Sequence, residues 1–422
     1  MKENFLHFLW KFGLFEKENI CTTKGEPLEI ISAGQHNTNA GPDFFNAKIK
    51  IGDTTWAGNV EVHRAASDWE KHAHSQNKAY DNVILHVVTV DDKAVFRSSG
   101  DSLATFILRY DKKIEQRYQE LLASVTWIPC QAHIGNVALF RVKHFLGRIL
   151  VERMEERNSQ ISGILNNTHN NWQEVFYQRL FRAFGFGTNA LPFELLAKAT
   201  PFQAIAKQRY SLMQVEALLF GQAGFLQEET LDSYQSELQN EYRFLQAKYA
   251  LQPIAGHLWK FLRIRPDNFP TVRIAQLAKL LYSSEGFVDK LLASRTAEEL
   301  YKLFAVQASS YWDEHYTFGK TSVKKPKLVG ESSVQGLVMN AVIPFLFAYG
   351  HYHHNNTMCE TALNILEALP PEKNNIIAGW HNIGIKPDNA FYAQALMQLK
   401  TAYCDEKRCL SCAIGTTQLA NV

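Results

Sequence analysis

Residues 34–63 read GQHNTNAGPDFFNAKIKIGDTTWAGNVEVH. A Gly- and Asn-rich loop, Gly34 to Gly41, leads into the pair Pro42-Asp43. From Phe44 to Ile51, the apolar Ala47, Ile49 and Ile51 alternate with Lys48 and Lys50, which is the period of a half-buried strand. Gly52-Asp53 marks a turn, and Thr54 to His63 forms the second arm of a hairpin. Alternation puts Asn59, Glu61 and His63 on one face and Val60 and Val62 on the other. Asp43 starts the partner strand and reaches the same end of the sheet. Two carboxylates brought this close repel unless a cation sits between them. Mg²⁺ takes one or two carboxylates with waters and phosphate oxygens, and such an ion polarises a phosphodiester and activates water. Asp43, Glu61 and His63 are therefore the expected parts of a metal-dependent phosphodiesterase site.

Upstream, Phe5, Leu6, Phe8, Leu9, Phe12 and Leu14 give Asn4 to Phe15 a helical apolar face. Leu28 to Ser32 is a short strand. Downstream, Ser67-Asp68 resembles a helix start, with the helix running to about Lys78. Asn82 to Val90, NVILHVVTV, is almost wholly apolar and reads as a central strand covered on both faces. Ala94 to Arg97 and Leu103 to Leu108 look like further strands. From Asp111 onward helical periodicity takes over: Ile114 to Val125, Val137 to Asn158, Asn171 to Phe184 and Pro192 to Ala199. No repeat of fixed period is visible. The expected organisation is an α/β domain over 1–110, a larger all-α domain over 111–400 and a cysteine-rich tail over 401–422.

A chain of 422 residues is long for one core and predicts two or three domains. With 44 basic and 42 acidic residues, the net charge of +2 excludes a histone-like polycation but not an enzyme with one local basic surface. Lys11 and Glu16 interrupt the N-terminal apolar stretch, so a signal peptide is not expected. Val334 to Tyr349 contains Gln335, Asn340 and Pro344, and reads as a buried core helix rather than a membrane span. Six sparse cysteines do not form a secreted disulfide framework. A cytoplasmic protein with no membrane partner is expected.

Pro-Asp, a 17-residue spacer and Glu-x-His on the next strand resemble the signature of the PD-(D/E)XK nuclease superfamily. That family's core order, helix, three strands, helix, strand, is similar to the order read over residues 4–90. The resemblance implies a restriction-endonuclease-like mixed sheet with flanking helices, Mg²⁺ or Mn²⁺ on Asp43 and Glu61, and hydrolysis of DNA, with RNA also open as a partner. His63 stands where the family has lysine. It can orient or deprotonate the attacking water, and it favours a softer metal such as Mn²⁺. The family also places an acid in the first helix. Glu16 and Glu18 both stand as candidates, and Gln35 or His36 could contribute instead. Asp68 and His72, four residues apart on one helical face, would flank the cleft in support, with His74 on the same helix. Gln76 and Tyr80 have a spacing seen in RecB-like nucleases. His86 is expected to be a hydrogen-bonded core histidine. Over its whole length the chain also resembles a bacterial family known as domain of unknown function 2851, through GPDF, GNVEVH, SDW, HAH, VILHVV and the cysteine tail. That resemblance implies no activity. Two other readings stand beside a nuclease: a non-catalytic nucleic-acid-binding or scaffold protein on a degenerate nuclease fold, and a metal-dependent hydrolase of a small molecule.

Cys404-x4-Cys409-x2-Cys412 is a second chemical signal. Three close thiols suit Zn²⁺ or an iron–sulfur cluster, and both take four ligands. Cys130 is the expected fourth, with Cys359, Cys21 or a histidine as alternatives. Some nucleases close their domain with an iron–sulfur staple of one distant and three clustered cysteines, and the arrangement here is similar. Lys320, Lys324, Lys325 and Lys327 form a basic loop suited to nucleic-acid phosphates. The segment Phe318 to Ser322 resembles the end of a P-loop, but position 314 holds Glu314 where the pattern needs glycine. Tyr311, Trp312, His315, Tyr316 and Phe318 are expected to pack in a core.

Overall fold

The computed structural model describes residues 3–228, 230–283 and 285–420. The chain forms two compact units, Met1–Phe145 with Gln398–Val422, and Leu146–Met397. Residues 111–145, read from sequence as the start of the helical domain, belong to the first unit, and so does the cysteine tail.

In the first unit, helix α1 (Glu3–Phe12) buries Phe5, Leu6, Phe8, Leu9 and Trp10. It stops before the expected Phe15 because Gly13 adopts φ +62°, and the Leu14 N–H closes back onto the Leu9 carbonyl. Strands β1 (Leu28–Ser32), β2 (Gln35–His36), β3 (Phe44–Ile51) and β4 (Thr54–Val62) follow. After one turn of helix, α2 (Asp68–Lys71), come β5 (Val83–Val88) and β6 (Thr105–Ile107). The sheet order is β1-β3-β4-β5-β6, with β2 paired to β3. The β1–β3 and β3–β4 pairs are antiparallel, whereas β4–β5 and β5–β6 are parallel. Every residue of β5 is buried, as a central strand requires. The stretch 94–97 forms only a bridge, Phe96 to Ser102, and no strand. The tail packs on α1 and on helix α3 (Lys112–Ala123).

Gly58 sets how closely β5 approaches β4. A Cβ there would lie 2.4 Å from Ile84 Cγ2 and 2.6 Å from the Asn82 carbonyl. Gly58→Ala must push the two strands apart, and is expected to lower unfolding free energy by about 1–3 kcal/mol in urea denaturation. An unchanged midpoint would mean that β5 has slack the packing does not suggest.

The second unit is helical, with Trp172–Phe184, Leu212–Gln222, Ser233–Tyr249 and Pro270–Ser283 among its longer helices. Its run Glu331–Tyr352 is long and apolar enough to cross a membrane, yet 72% of its most apolar window is buried inside the protein. It is a core helix, as its sequence predicts. The aromatic run forms a 3₁₀ turn, Ser310–Glu314, followed by a small hairpin, His315–Thr317 with Lys320–Thr321, and Trp312 is fully buried.

Candidate functional site

The hairpin expected from sequence brings the two acids together. Between Phe44 and Ala47 the β3–β4 register slips, so that Phe45 and Asn46 face the single Asn59. Asn46 sits at φ +56°, a conformation asparagine tolerates, and its N–H donates to Asn59 Oδ1 at 3.4 Å. The bulge turns Asp43 across β4. The Val62 N–H donates to Asp43 Oδ2 at 2.9 Å, and the Asp43 N–H donates to Glu61 Oε2 at 3.0 Å. Each carboxylate is thus anchored on the other's strand.

Glu61 and His63 are more deeply set than a cleft reading predicts, at 4% and 2% exposure. Glu61 Oε1 lies 3.1 Å from His74 Nε2 and 3.5 Å from His63 Nε2. His72 Nδ1 lies 3.1 Å from His63 Nε2. The ligand atoms of His63, His72 and His74 all fall within 4.8 Å of one another. On the far side of His63, Nδ1 meets His86 Nε2 at 2.9 Å. Pairing in register across β4 and β5 places Glu61 opposite His86, so the expected core histidine is in place and hydrogen-bonded. A proton on His63 Nδ1, donated to His86, leaves the His63 Nε2 lone pair facing Glu61, His72 and His74.

Local backbone explains the two histidines of the HAH segment. The expected helix to Lys78 ends after Lys71, because Ala73 takes φ +57°. Ser67 does not cap it, and its hydroxyl donates instead to Asp92 Oδ2 at 2.7 Å. Left-handed geometry costs a non-glycine residue about 1–2 kcal/mol, and strain of this kind gathers at functional sites. Its effect here is that His72 and His74 both reach His63, His72 from the exposed side and His74 from beneath. Tyr80 stacks on the His74 ring at 3.8 Å.

Electrostatics match a cation site. Burial, followed by the neighbouring His86, His74 and His72, pushes the His63 pKa down to about 3. Burial chiefly does the same to His86, also to about 3. Glu61 is raised, first by burial and then by the Asp43 charge, against the pull of His74. The arrangement without a cation is costly: His74 Nε2 is buried and makes no hydrogen bond despite its proximity to Glu61. Donor atoms about 2.0–2.2 Å from one metal ion lie about 3–3.5 Å apart, and three contacts here have that spacing: Glu61 Oε1 to His74 Nε2, Glu61 Oε1 to His63 Nε2, and His63 Nε2 to His72 Nδ1. His63, His72 and His74 therefore have the chemistry and proximity to hold a divalent ion, with the Glu61 carboxylate beside two of them.

Helix α1 contributes a histidine where an acid was sought. His7 Nε2 lies 3.2 Å from Asp43 Oδ2. Burial opposes charge on His7, but Asp43, Glu3 and Glu61 outweigh it and raise its pKa. Glu16 and Glu18 lie exposed beyond the helix end, and Gln35 is exposed on β2 opposite Phe45. His36 stands beside His7, with ring centroids 5.6 Å apart. Asp68 is held by partners outside the cluster. Its carboxylate takes the Ala65 N–H at 3.0 Å and Lys71 Nζ at 2.6 Å. It shares with His72, Glu3, Arg64 and Lys71 the lining of an open cavity of about 710 Å³. Gln76 is exposed. Nothing in the sequence periodicity pointed to His7, and only the HAH spacing could have found His74.

The thiols form a second cluster. Cys130, Cys409 and Cys412 are buried and Cys404 half-buried, and none is in a disulfide. Burial, then Cys412 and Cys409, pushes Cys130 up to about 12, and burial followed by Cys412 pushes Cys409 up to about 11. Cys404 is raised by burial and then by the other three. All four are thus electrostatic neighbours. Cys21 is exposed, and Cys359 lies in the second unit.

The basic loop differs from its sequence reading. Lys327 is 2% exposed, its Nζ bound to the Asp313 and Lys325 carbonyls and set over Tyr316. It cannot reach a phosphate without unfolding the loop. Lys325 pairs with Asp267 at 2.7 Å and Lys324 lies 3.6 Å from Glu314, which leaves Lys320 as an exposed lysine of the hairpin.

No curated protein and no solved structure matches the chain. A family profile matches residues 3–375, which include α1, Asp43, Glu61 and the cluster of His63, His72 and His74, and the chain belongs to the family described as "Protein of unknown function (DUF2851)".

Proposed function

We propose that the first unit is a metal-dependent phosphodiesterase, with DNA as the substrate to test first. The observation that carries this reading is the crossed anchoring of Asp43 and Glu61 beside His63, His72 and His74. The strand directions support it as well. The run of a helix, the antiparallel strands β1, β3 and β4, a short helix and the parallel strand β5 is similar to the order that the PD-(D/E)XK resemblance implies, with the two-residue β2 added at β3. Glu61, His63, His72 and His74 would hold the ion, with Asp43 close by. Nitrogen-rich ligation favours Mn²⁺ over Mg²⁺. When bound, the ion supplies Lewis acidity toward a phosphoryl oxygen and lowers the pKa of water.

The chain's own groups do the rest. His86 fixes the ring of His63 so that its free lone pair faces the acids. His7, beside Asp43, provides the cationic group that His63 in the lysine position does not. Arg64 and Lys71 line the opening beside His72, where a phosphate would approach. The buried thiols Cys130, Cys404, Cys409 and Cys412 would hold Zn²⁺ or an iron–sulfur cluster that staples the tail to the sheet unit. Unoxidised buried thiols suit a reducing, cytoplasmic setting.

The test is cleavage of supercoiled and linear DNA by the whole chain, with Mn²⁺, Mg²⁺ or Zn²⁺ and with EDTA. Metal-dependent cleavage abolished by EDTA is expected. No cleavage of DNA or RNA with any of the three ions would sink the enzyme reading. One observation favours the alternative of a non-catalytic protein on a degenerate fold: Glu61 and His63 are so enclosed that His72 alone of the three histidines is exposed.

A further inference from the structure

The second unit has a cleft of about 1100 Å³ that the phosphodiesterase reading does not use. Arg153 and Arg157 reach it from the helix Leu139–Asn167, and Arg179 and Arg182 from the helix Trp172–Phe184. Opposite them runs Glu331–Tyr352, whose middle, Val338–Val342, is a π-helical turn. Pro344 explains the turn's open carbonyls. It has no N–H, so it can serve neither Asn340 O in α-helical register nor Met339 O in π register. Arginines take over: Arg179 Nη2 donates to Asn340 O at 3.1 Å, Arg157 Nη1 to Met339 O at 3.4 Å and Arg157 Nη2 to Asn340 Oδ1 at 3.3 Å. Arg153 Nε donates to Gln394 Oε1 at 2.8 Å.

The partners of Arg157 and Arg179 are neutral, and they hold those two guanidinium groups without cancelling their charge. Glu372 is one of three carboxylates in the lining, with Glu156 and Glu331. It accepts from Gln394 and Asn374, and burial raises its pKa against the pull of Arg153 and Arg157. Arg182 is already paired with Glu194. Arg179 is 9% exposed, and its Nε is buried with no hydrogen-bond partner. Burial, together with Arg153 and Arg179, pushes the Arg157 pKa down to about 9. Crowding buried guanidinium groups together is expensive even with carboxylates in the same lining. A bound anion would reverse the cost.

We infer that this cleft binds a small phosphate ester, its phosphate held by Arg153, Arg157 and Arg179 and its organic part resting on Phe186, Met339 and Pro370. A phosphate monoester carries about 1.5–2 negative charges with three strong acceptors on one centre. With Arg182 paired to Glu194, the lining's Arg153, Arg157, Arg179 and Lys373 still outnumber Glu156, Glu331 and Glu372, and a doubly charged phosphate answers that excess better than a single carboxylate ligand does. Guanidinium forks are suited to phosphate, and the cleft has the size and the apolar wall of a small-ligand site.

The experiment is calorimetric titration and thermal denaturation of the whole chain with inorganic phosphate, adenosine 5′-monophosphate and adenosine. The monophosphate is expected to bind and raise the melting temperature, adenosine is not, and phosphate is expected to bind more weakly than the ester. Arg157→Gln and Arg157→Lys should each weaken monophosphate binding by about tenfold or more, since a charged hydrogen bond is lost in both. Arg179→Gln is the second probe should either variant fold poorly. Three results would overturn the proposal. One is no binding of phosphate or monophosphate at millimolar concentration, which leaves the arginines only as caps for the broken helix. Another is binding that the folded variants retain in full. The third is binding of a single-stranded oligonucleotide, weakened by Arg157→Gln, when the monophosphate does not bind, which would make the cleft a nucleic-acid groove.

Discussion

Glu61→Gln is expected to weaken Mn²⁺ binding by about 100-fold or more and to abolish metal-dependent cleavage, while the metal-free protein becomes as stable as before or more so. The two halves have one cause. Glu61 is 4% exposed, lies near Asp43 and has a raised pKa, so its charge is a burden on the fold until a cation arrives. Glutamine keeps the shape, and its carbonyl oxygen can still accept the Asp43 N–H that Glu61 Oε2 now takes at 3.0 Å. What it removes is the negative charge facing His74 and His63. Calorimetric titration with Mn²⁺ reads the first half, and thermal melting with EDTA reads the second. A variant that binds Mn²⁺ normally would show that Glu61 is no ligand. One that melts well below the parent in EDTA would show that the carboxylate serves the fold alone.

How far the sequence reached is best seen at individual residues. The strand period put Glu61 and His63 on one face, and Asp43 joined them, because a hairpin permits little else. His86 was legible too, since an apolar central strand leaves a histidine no solvent and only a polar neighbour. His74 was misjudged as part of a longer helix. Its inward turn depends on Ala73 at φ +57°, and propensity cannot foresee a left-handed alanine. His7 depended on how α1 docks against Phe44 and Asp43, a tertiary fact with no local signal. Lys327 was read as a surface charge because its neighbours are charged. Tyr316 and two carbonyls instead give its ammonium a place inside. The arginine cleft escaped altogether: its members are spread over Arg153 to Arg179 and answer a proline at 344.

Cys409→Ser combined with Cys412→Ser is expected to remove all tail-bound metal and to lower the melting temperature of the first unit by roughly 10 °C or more. Metal binding and folding are the same free energy when the ligands come together only in the folded chain. Here Cys130 follows α3, whereas Cys404, Cys409 and Cys412 arrive from the other end of the sequence, so a shared ion would close a loop of nearly 300 residues. Hydrogen bonds also tie the tail down: Gln418 Nε2 donates to the His133 carbonyl at 2.8 Å, and Lys407 to that of Leu122. Such bonds contribute about 1 kcal/mol each, too little to hold a segment that also covers α1. Elemental analysis of anaerobically prepared protein separates the two candidates, since zinc is colourless and an iron–sulfur cluster carries labile sulfide and visible absorption. The serine pair should lose either one, and with it the tail's protection from protease. If the parent holds neither metal and the pair melts with it, the four thiols are a buried apolar contact. The tail would then be held by packing, with Tyr403, Ile414 and Leu419 buried, and by those hydrogen bonds.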